Sequence, residues 1–168
     1  YREKNQYSLL PKFMLDNKNQ PVIAIQEASS NHIKLLLPLF CKYRIFYGVE
    51  EKSKEAEAFL LDRINRNESK VFLAMKGEMA IGFTQLYPSF SSLSLKSVWI
   101  LNDLYVYEEY RKQGVGKMLL DAAKEFALKT NSKGLTLSTG IENETAQSLY
   151  EKYGFIRNEH FYEYFLFF

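Results

Sequence analysis

Tyr110-Arg-Lys-Gln-Gly114-Val-Gly116-Lys117 is the stretch that decides the fold, because it joins a β-prone segment to a helical one. The run from Ser97 to Tyr107 is rich in β-branched and aromatic residues, which predicts a strand. After the stretch, apolar residues recur at helical spacing from Gly114 to Thr130. The sequence therefore predicts a strand, a glycine-bearing turn and an amphipathic helix in direct succession.

The start of this helix has the features of an anion site. The first helical N–H groups have no partner within the helix, and the helix dipole favours negative charge there. Gly114 and Gly116 let a ligand approach the backbone closely, and Arg111 and Lys117 add positive charge. The expected ligand is a phosphate or a pyrophosphate.

Two familiar phosphate loops do not fit this stretch. Leu119 stands where a dinucleotide fingerprint needs its third glycine, and Met118 follows Lys117 where a Walker loop needs Ser or Thr. A glycine-bearing helix start that holds no ligand is the alternative interpretation, since short glycine motifs often occur by chance.

A second motif, Asn143–Phe155, reads Asn-Glu-Thr-Ala-Gln-Ser-Leu-Tyr-Glu-Lys-Tyr-Gly-Phe and predicts a short helix. Asn143 is a good N-cap, and the glycine before Phe155 has the usual C-cap position. Tyr150 shares the apolar stripe of this helix. Periodicity alone therefore favours a core tyrosine over a catalytic one.

The remaining chain predicts one mixed α/β domain with the element order βααβββαβαββ. Residues 1–20 lack a clean period and predict an irregular arm, so the domain is expected over residues 21–168. A strand buried on both faces is expected at 21–27, and one or two aromatic strands are expected at the C-terminus. The other expected strands are 70–76, 79–87 and 134–138.

Two helices and a loop complete this prediction. A helix that begins at Ser29 or Ser30 and runs to Tyr47 should be kinked or split by Pro38. A second helix should begin at Ser53. The Ser-rich stretch 88–95 predicts a loop.

Composition excludes several classes of protein. The 168 residues are 46% hydrophobic and 25% charged, which is typical of a globular chain. A net charge of +2 without a basic stripe gives no support for a nucleic-acid partner. One cysteine, Cys41, and two histidines cannot build a zinc cluster, and a lone cysteine suits a reducing cytoplasm. No apolar run is long enough to span a membrane, and no secretory leader is evident.

Together the two motifs resemble the GNAT superfamily of N-acetyltransferases. Arg111, Gly114 and Gly116 match the acetyl-CoA signature of that family, and the strand end Asp103–Val106 precedes it as in the family. The Asn143–Phe155 motif matches a second family block, and the element order from 22 to 167 agrees. The resemblance implies a single α/β domain with a central mixed, mostly antiparallel sheet flanked by helices. Splayed strands would form the acetyl-CoA cleft.

The resemblance also implies roles for individual residues. Acetyl-CoA would be the co-substrate, and no metal would be needed. The main chain of Leu104, Tyr105 and Val106 would pair with the pantetheine arm, and Asn143 would bond to it. Tyr150 would protonate the departing thiolate. The pyrophosphate would be held by the helix start, which comprises Arg111, Lys112, Gln113, Gly114, Val115, Gly116 and Lys117.

Two positions depart from the family pattern. Many members have glycine where this chain has Lys112. Relatives that acetylate polyamines often have an acidic residue at the position of Asn102, and an amide cannot act as a base. Asp103 is the carboxylate that remains on the strand. It is either the catalytic base or a structural hydrogen-bond acceptor.

A finer resemblance concerns the part of the site that would bind the acceptor amine. It is to a microbial branch with histone-type and polyamine-type acetyltransferases. Its residues are Tyr43–Tyr47, Phe59–Leu60 with Arg63, and Leu137–Thr139. Tyr43, Tyr47 and Glu51 fall where family members form the substrate wall, and they suit a cationic amine. A helix packed on the sheet and followed by a solvated acidic turn is the alternative.

These features predict an acetyl-CoA-dependent N-acetyltransferase in which a primary amine attacks the thioester directly within a ternary complex. The acceptor would be a small-molecule or peptide amine. The resemblance also suggests a homodimer, with no nucleic-acid or membrane partner. The alternative function is a non-catalytic module of the same fold that binds CoA, an acyl-CoA or another protein.

Overall fold

The computed structural model describes residues 22–168, and the arm predicted for residues 1–20 lies outside them. The described residues belong to two compact units that divide between Thr136 and Leu137. The second unit contains the helix α4, Glu144–Tyr153. The first unit contains β1 Ile23–Glu27, α1 Ile33–Phe46, α2 Ser53–Asn65, β2 Lys70–Lys76, β3 Met79–Ser91, β4 Lys96–Val106, α3 Val115–Lys129 and β5 Leu135–Thr136.

The five strands form one sheet in the order β1-β2-β3-β4-β5. Strands β1 to β4 pair with one another in antiparallel orientation, whereas β5 pairs with β4 in parallel orientation. The prediction of a mixed, mostly antiparallel sheet is therefore confirmed. The hairpin between β2 and β3 turns at Gly77, whose φ of 63° is favourable for glycine.

Helices cover both faces of the sheet because successive side chains of a strand point to opposite sides. Val71 and Leu73 of β2 belong to a buried cluster shared with α1 and α2. The ring of Phe72 instead lies 5.8 Å from that of Phe126 on α3. Thus α1 and α2 lie on one face of the sheet and α3 lies on the other.

The Ser-rich stretch predicted as a loop is mostly strand. β3 continues to Ser91 and β4 begins at Lys96, so only residues 92–95 lie between them. Pro88 lies within β3, opposite Trp99. The pairing of β2 with β3 ends at Leu86, so the missing N–H of Pro88 costs no bond to β2.

The first strand differs from expectation, and the first helix is not split. β1 is the edge strand of the sheet and Ala24 is exposed, so the strand is not buried on both faces. Pro38 lies inside α1 without dividing it, since α1 is assigned as one helix of 14 residues. The hydrogen bond that this proline cannot donate is lost without ending the helix.

In the second unit, α4 begins and ends as predicted. Asn143 Oδ1 accepts a hydrogen bond from the Ala146 N–H at 3.2 Å, and Gly154, with φ of 109°, ends the helix. The prediction of C-terminal strands is wrong, because residues 155–168 form no strand. The large apolar side chains from Phe161 to Phe168 are exposed, so this segment is not a core strand.

Candidate active site

One edge of β4 has no strand partner beyond the middle of the strand. β5 pairs with β4 only at Trp99 and Ile100, whereas β4 continues to Val106. No strand in the described part of the chain pairs with residues 101–106 on that side, although β3 pairs with all of them except Asn102 on the other. The peptide groups of Leu104–Val106 therefore lie at a sheet edge that an extended ligand can join as an added strand.

The turn between β4 and α3 contains two residues in the left-handed region. The φ angles are 59° at Lys112 and 81° at Gly114. The angle at Lys112 is one that glycine adopts without steric cost and that a lysine side chain makes less favourable. Gln113 Nε2 donates to the Glu109 carbonyl at 2.8 Å, and residues 112–114 are exposed. The turn is therefore anchored and accessible.

The start of α3 offers backbone donors. Gly114 supplies no side-chain cap, and the Met118 N–H donates to the Gly114 carbonyl at 3.0 Å. The N–H groups of Val115, Gly116 and Lys117 therefore precede the ladder of intrahelical bonds. A Cβ at Gly114 would meet no heavy atom within 4 Å. The space beside these donors is open, which suits an anion.

Two of the three cationic side chains of this motif already have partners. Arg111 Nε donates to the Val106 carbonyl at 3.0 Å, and its guanidinium lies 5.6 Å from the centre of the Tyr105 ring. Lys117 Nζ donates to the Asp121 carboxylate at 2.8 Å. The third cation, Lys112, is exposed, so the geometry offers an anion the backbone N–H groups together with this one side chain.

A cavity of about 510 Å³ opens between α1, α2 and the centre of the sheet. Its volume is within the range of small-molecule sites. The lining combines aromatic rings with charges of both signs. It consists of Phe40, Tyr43, Arg44, Tyr47, Val49, Lys52, Glu55, Ala56, Phe59, Tyr87, Asn102 and Asp103.

Asp103 is the buried carboxylate of this cavity, with 3% of its surface exposed. It lies directly opposite Gln85 in the register of β3 and β4. Gln85 Nε2 donates to Asp103 Oδ2 at 2.7 Å, and Asn102 Nδ2 donates to Oδ1 at 3.0 Å. Gln85 Nε2 also donates to the Tyr87 hydroxyl at 3.1 Å. These neutral donors hold the carboxylate in one orientation.

Burial controls the protonation of this group. It raises the pKa of Asp103, and the hydrogen bonds from Gln85, Tyr43 and Asn102 oppose that rise. Burial also raises the pKa of Tyr87, and the nearby Asp103 charge adds to the effect. Tyr87 therefore stays neutral. Asp103 binds a proton more readily than an ordinary aspartate does, which suits a general base.

The predicted substrate residues are only partly brought together. Tyr43 and Tyr47 both line the cavity with Asp103, and the Tyr43 hydroxyl donates to the Asn102 carbonyl at 3.4 Å. Glu51 is not part of the lining, and its Oε1 accepts a hydrogen bond from Ser53 Oγ at 2.8 Å beside the start of α2. The geometry gives Glu51 no support as a substrate residue.

The other two predicted site residues lie in the second unit. The side chain of Asn143 caps α4, and Tyr150 is a buried residue whose ring lies 5.7 Å from that of Phe155. The capping and packing expected from the sequence are confirmed. The roles of these residues toward a ligand stay predictions.

Metal-binding groups, membrane-spanning helices and cysteines were sought among the described residues. Among residues 22–168, no three His, Cys, Asp or Glu side chains are grouped so that they could hold a metal ion. No helix in that range combines the length and the apolar character needed to cross a membrane. Cys41 is buried within α1 as a free thiol.

Several known proteins are similar to this chain in sequence or in fold. The model of the acetyltransferase (GNAT) family matches residues 36–155. The uncharacterized N-acetyltransferase YhfO of Bacillus subtilis is 43% identical over 140 residues, which cover 83% of this chain and 94% of that protein. A probable acetyltransferase of Haemophilus influenzae is 37% identical over 133 residues, covering 79% and 89%. A crystal structure of a probable acetyltransferase is 47% identical with a TM-score of 0.81, covering 86% and 97%.

The chain belongs to the acetyltransferase (GNAT) family. The resemblance inferred from the two sequence motifs is confirmed, and so is the fold class. The protein is an acyltransferase, and the reaction it performs is acetyl transfer.

Several residues of the cavity were missed by reasoning from the sequence. Gln85 and Tyr87 hold or line the Asp103 site, and Arg44 lines the same cavity. A signal was present in β3, where Thr84 and Gln85 interrupt an apolar run and Tyr87 follows on the same side as Gln85. A polar residue buried in a central strand needs a partner, which points to the neighbouring strand.

Proposed function

We propose that this protein transfers the acetyl group of acetyl-CoA to a primary amine, which attacks directly within a ternary complex. The observation that carries the proposal is the open edge of β4, followed in the chain by the uncapped start of α3. The edge fits the amide-bearing pantetheine arm, and the helix start fits a pyrophosphate. When bound, acetyl-CoA supplies a thioester whose carbonyl carbon is the electrophile.

Binding of this co-substrate would rest on the main chain. Leu104, Tyr105 and Val106 would pair with the pantetheine arm, and Asn143 would add a hydrogen bond to it. The N–H groups from Arg111 to Lys117 would surround the pyrophosphate. The exposed turn and the open space at Gly114 support this arrangement.

Proton transfer would be divided between two residues. Asp103 would take a proton from the incoming amine, for which its burial in the cavity is suitable. The amine nitrogen would then bond to the acetyl carbon as the carbon–sulfur bond breaks, and Tyr150 would give its proton to the departing thiolate. The second proton that the nitrogen loses in becoming an amide would restore the Tyr150 hydroxyl. Backbone donors on β4 would stabilise the developing oxyanion. No covalent enzyme intermediate is proposed, because Cys41 is buried in α1.

Acetyl-CoA is expected to stabilise the protein against heat. At a concentration 100 times its dissociation constant, binding adds about 2.7 kcal/mol, or roughly 5–10 °C in melting temperature for a chain of this size. The measurement is a melt with acetyl-CoA, followed by thiol release on addition of amines. The absence of a shift at millimolar acetyl-CoA would contradict the proposal.

Gly114→Val is expected to weaken acetyl-CoA binding by about tenfold or more. The branched side chain would occupy the space beside the helix-start donors and would be strained at a φ of 81°. Gly48→Val is the matched control, since Gly48 also has a positive φ and open surroundings but ends α1. Calorimetric titration of both folded variants makes the comparison. Equal affinity in the two variants would mean that α3 begins without a ligand.

Two further properties belong to this proposal. The protein would act as a homodimer, which the exposed apolar side chains of residues 161–168 support. It would work in a reducing cytoplasm, which suits a single free cysteine. Light scattering of the purified protein tests the first of these.

A further inference from the structure

The cavity beside Asp103 has charges of opposite sign at its two ends. At the sheet end, Asp103 is buried and forms no ion pair with any residue from 22 to 168. At the other end, Arg44 and Lys52 lie beside the turn between α1 and α2. A desolvated charge without a counter-ion is costly, so each end is complementary to a charged group of a ligand.

Arg44 is the group that sets the positive end. Its Nη2 donates to the Glu50 carbonyl at 3.1 Å, which directs the guanidinium toward the α1–α2 turn. Its Nε is buried and has no hydrogen-bond partner, and Arg44 forms no ion pair with the described residues. Because Nε is buried, a ligand would reach Arg44 through the outer N–H groups of the guanidinium at the cavity wall, which suit a planar carboxylate.

Cations outnumber carboxylates among the residues that line this end, and the carboxylates of Glu50 and Glu51 are exposed outside the lining. Lys52 Nζ is 3.9 Å from the Glu50 carboxylate, whose side chain is 79% exposed, so water screens that pair. Glu55 is the one carboxylate of this end that lines the cavity, against the two cations. Lys52 also precedes α2 without capping it, and an uncapped helix start adds to the positive potential.

Resting on the proposed function, we propose that the acceptor is a small aminocarboxylate. Its amine would lie at Asp103 and its carboxylate at Arg44 and Lys52. Tyr43 reaches Asn102 at the sheet end, and the ring of Tyr47 lies 5.0 Å from that of Tyr43 along the same wall. An acceptor that spans from Asp103 on β4 to Lys52 before α2 needs methylene groups between its amine and its carboxylate, so the reacting amine is a terminal one. The rings of Phe40, Tyr43 and Tyr47 provide the apolar wall for that chain.

Three acceptors of equal length test this proposal: δ-aminovalerate, its neutral amide δ-aminovaleramide, and the diamine cadaverine. The wild-type protein with acetyl-CoA should show a kcat/KM for δ-aminovalerate about ten- to a hundredfold above that for the amide. Arg44→Gln should reduce this ratio to near one, chiefly through KM. Lys42→Gln is the matched control, because it removes one exposed charge from α1 outside the cavity and should keep the ratio.

Arg44→Gln also removes the hydrogen bond from Arg44 to the Glu50 carbonyl, so a second variant tests the positive end without that loss. Lys52→Gln changes a side chain that is 54% exposed and should lower the same ratio severalfold in a folded protein. If the wild-type protein turns over the amide or the diamine as well as δ-aminovalerate, or better, the aminocarboxylate proposal is overturned and the proposed function is not. Equal losses for all three acceptors in Arg44→Gln also overturn it. If no amine of a broad panel releases thiol and acetyl-CoA gives no thermal shift, the proposed function itself fails.

Discussion

Tyr150→Phe is expected to lower the rate of acetyl transfer by about 100- to 10,000-fold while acetyl-CoA affinity stays nearly unchanged. The substitution keeps the ring that packs against Phe155 and removes only the hydroxyl. The hydroxyl that is removed is the group that would donate a proton to the departing thiolate. The measurement is the single-turnover rate with the best amine, beside a calorimetric titration with acetyl-CoA.

Tyr153→Phe, on the same helix, is the matched control and should keep the wild-type rate. If Tyr150 were only a core residue, the loss would appear in stability instead, at about 1 kcal/mol for one hydrogen bond. A denaturant melt of both variants separates these interpretations. Full activity of Tyr150→Phe with a lowered melt would refute the catalytic role.

The parts of the fold that the sequence predicts well are those set by local chemistry. The turn before α3 carries Gly114 where the backbone is left-handed, and α4 carries Asn143 and Gly154 at its two ends. Each of these residues acts within one helical turn of its own position. The helix start that can hold an anion can therefore be predicted from the sequence alone.

The acceptor cavity could not be predicted in the same way, because it depends on contacts between distant segments. The bond from Gln85 to Asp103 exists because the β3–β4 register places the two residues opposite each other. A shift of one residue would move either side chain to the other face of the sheet. Arg44 acquires its significance only from the cavity that its helix lines.

The C-terminal segment shows the limit of strand propensity. Phe161, Tyr162 and Tyr164 are residues that sheets favour, yet they are exposed and unpaired within the described chain. Strand propensity expresses packing against neighbouring strands more than a preference of the backbone. An aromatic sequence therefore does not fix a strand without a partner.

Asp103→Asn is expected to lower kcat/KM by about 100- to 10,000-fold at neutral pH, because an amide cannot accept the proton of the amine. Burial raises the pKa of Asp103, so wild-type activity should fall as the pH decreases through a value above the ordinary carboxyl range. In the variant this acidic limb should disappear. The residual rate should then rise with pH as the amine loses its own proton. The pH profiles of kcat/KM for the two proteins provide the measurement.

Asp103→Asn should leave the fold intact. An intact fold with a reduced rate would identify Asp103 as a catalytic base and not as a structural hydrogen-bond acceptor. Gln85 Oε1 is buried without a partner, so a rotated Gln85 amide can accept a bond from the new side chain. Because the folded-state pKa of Asp103 is raised, its contribution to stability is present at low pH and is lost as the pH rises through that pKa. At neutral pH, Asp103→Asn should therefore match or exceed the wild-type stability, with a smaller difference in acid. Asp62→Asn, at a partly exposed carboxylate of α2, is the control for activity. A destabilised variant that keeps the wild-type rate would show that Asp103 only supports the sheet.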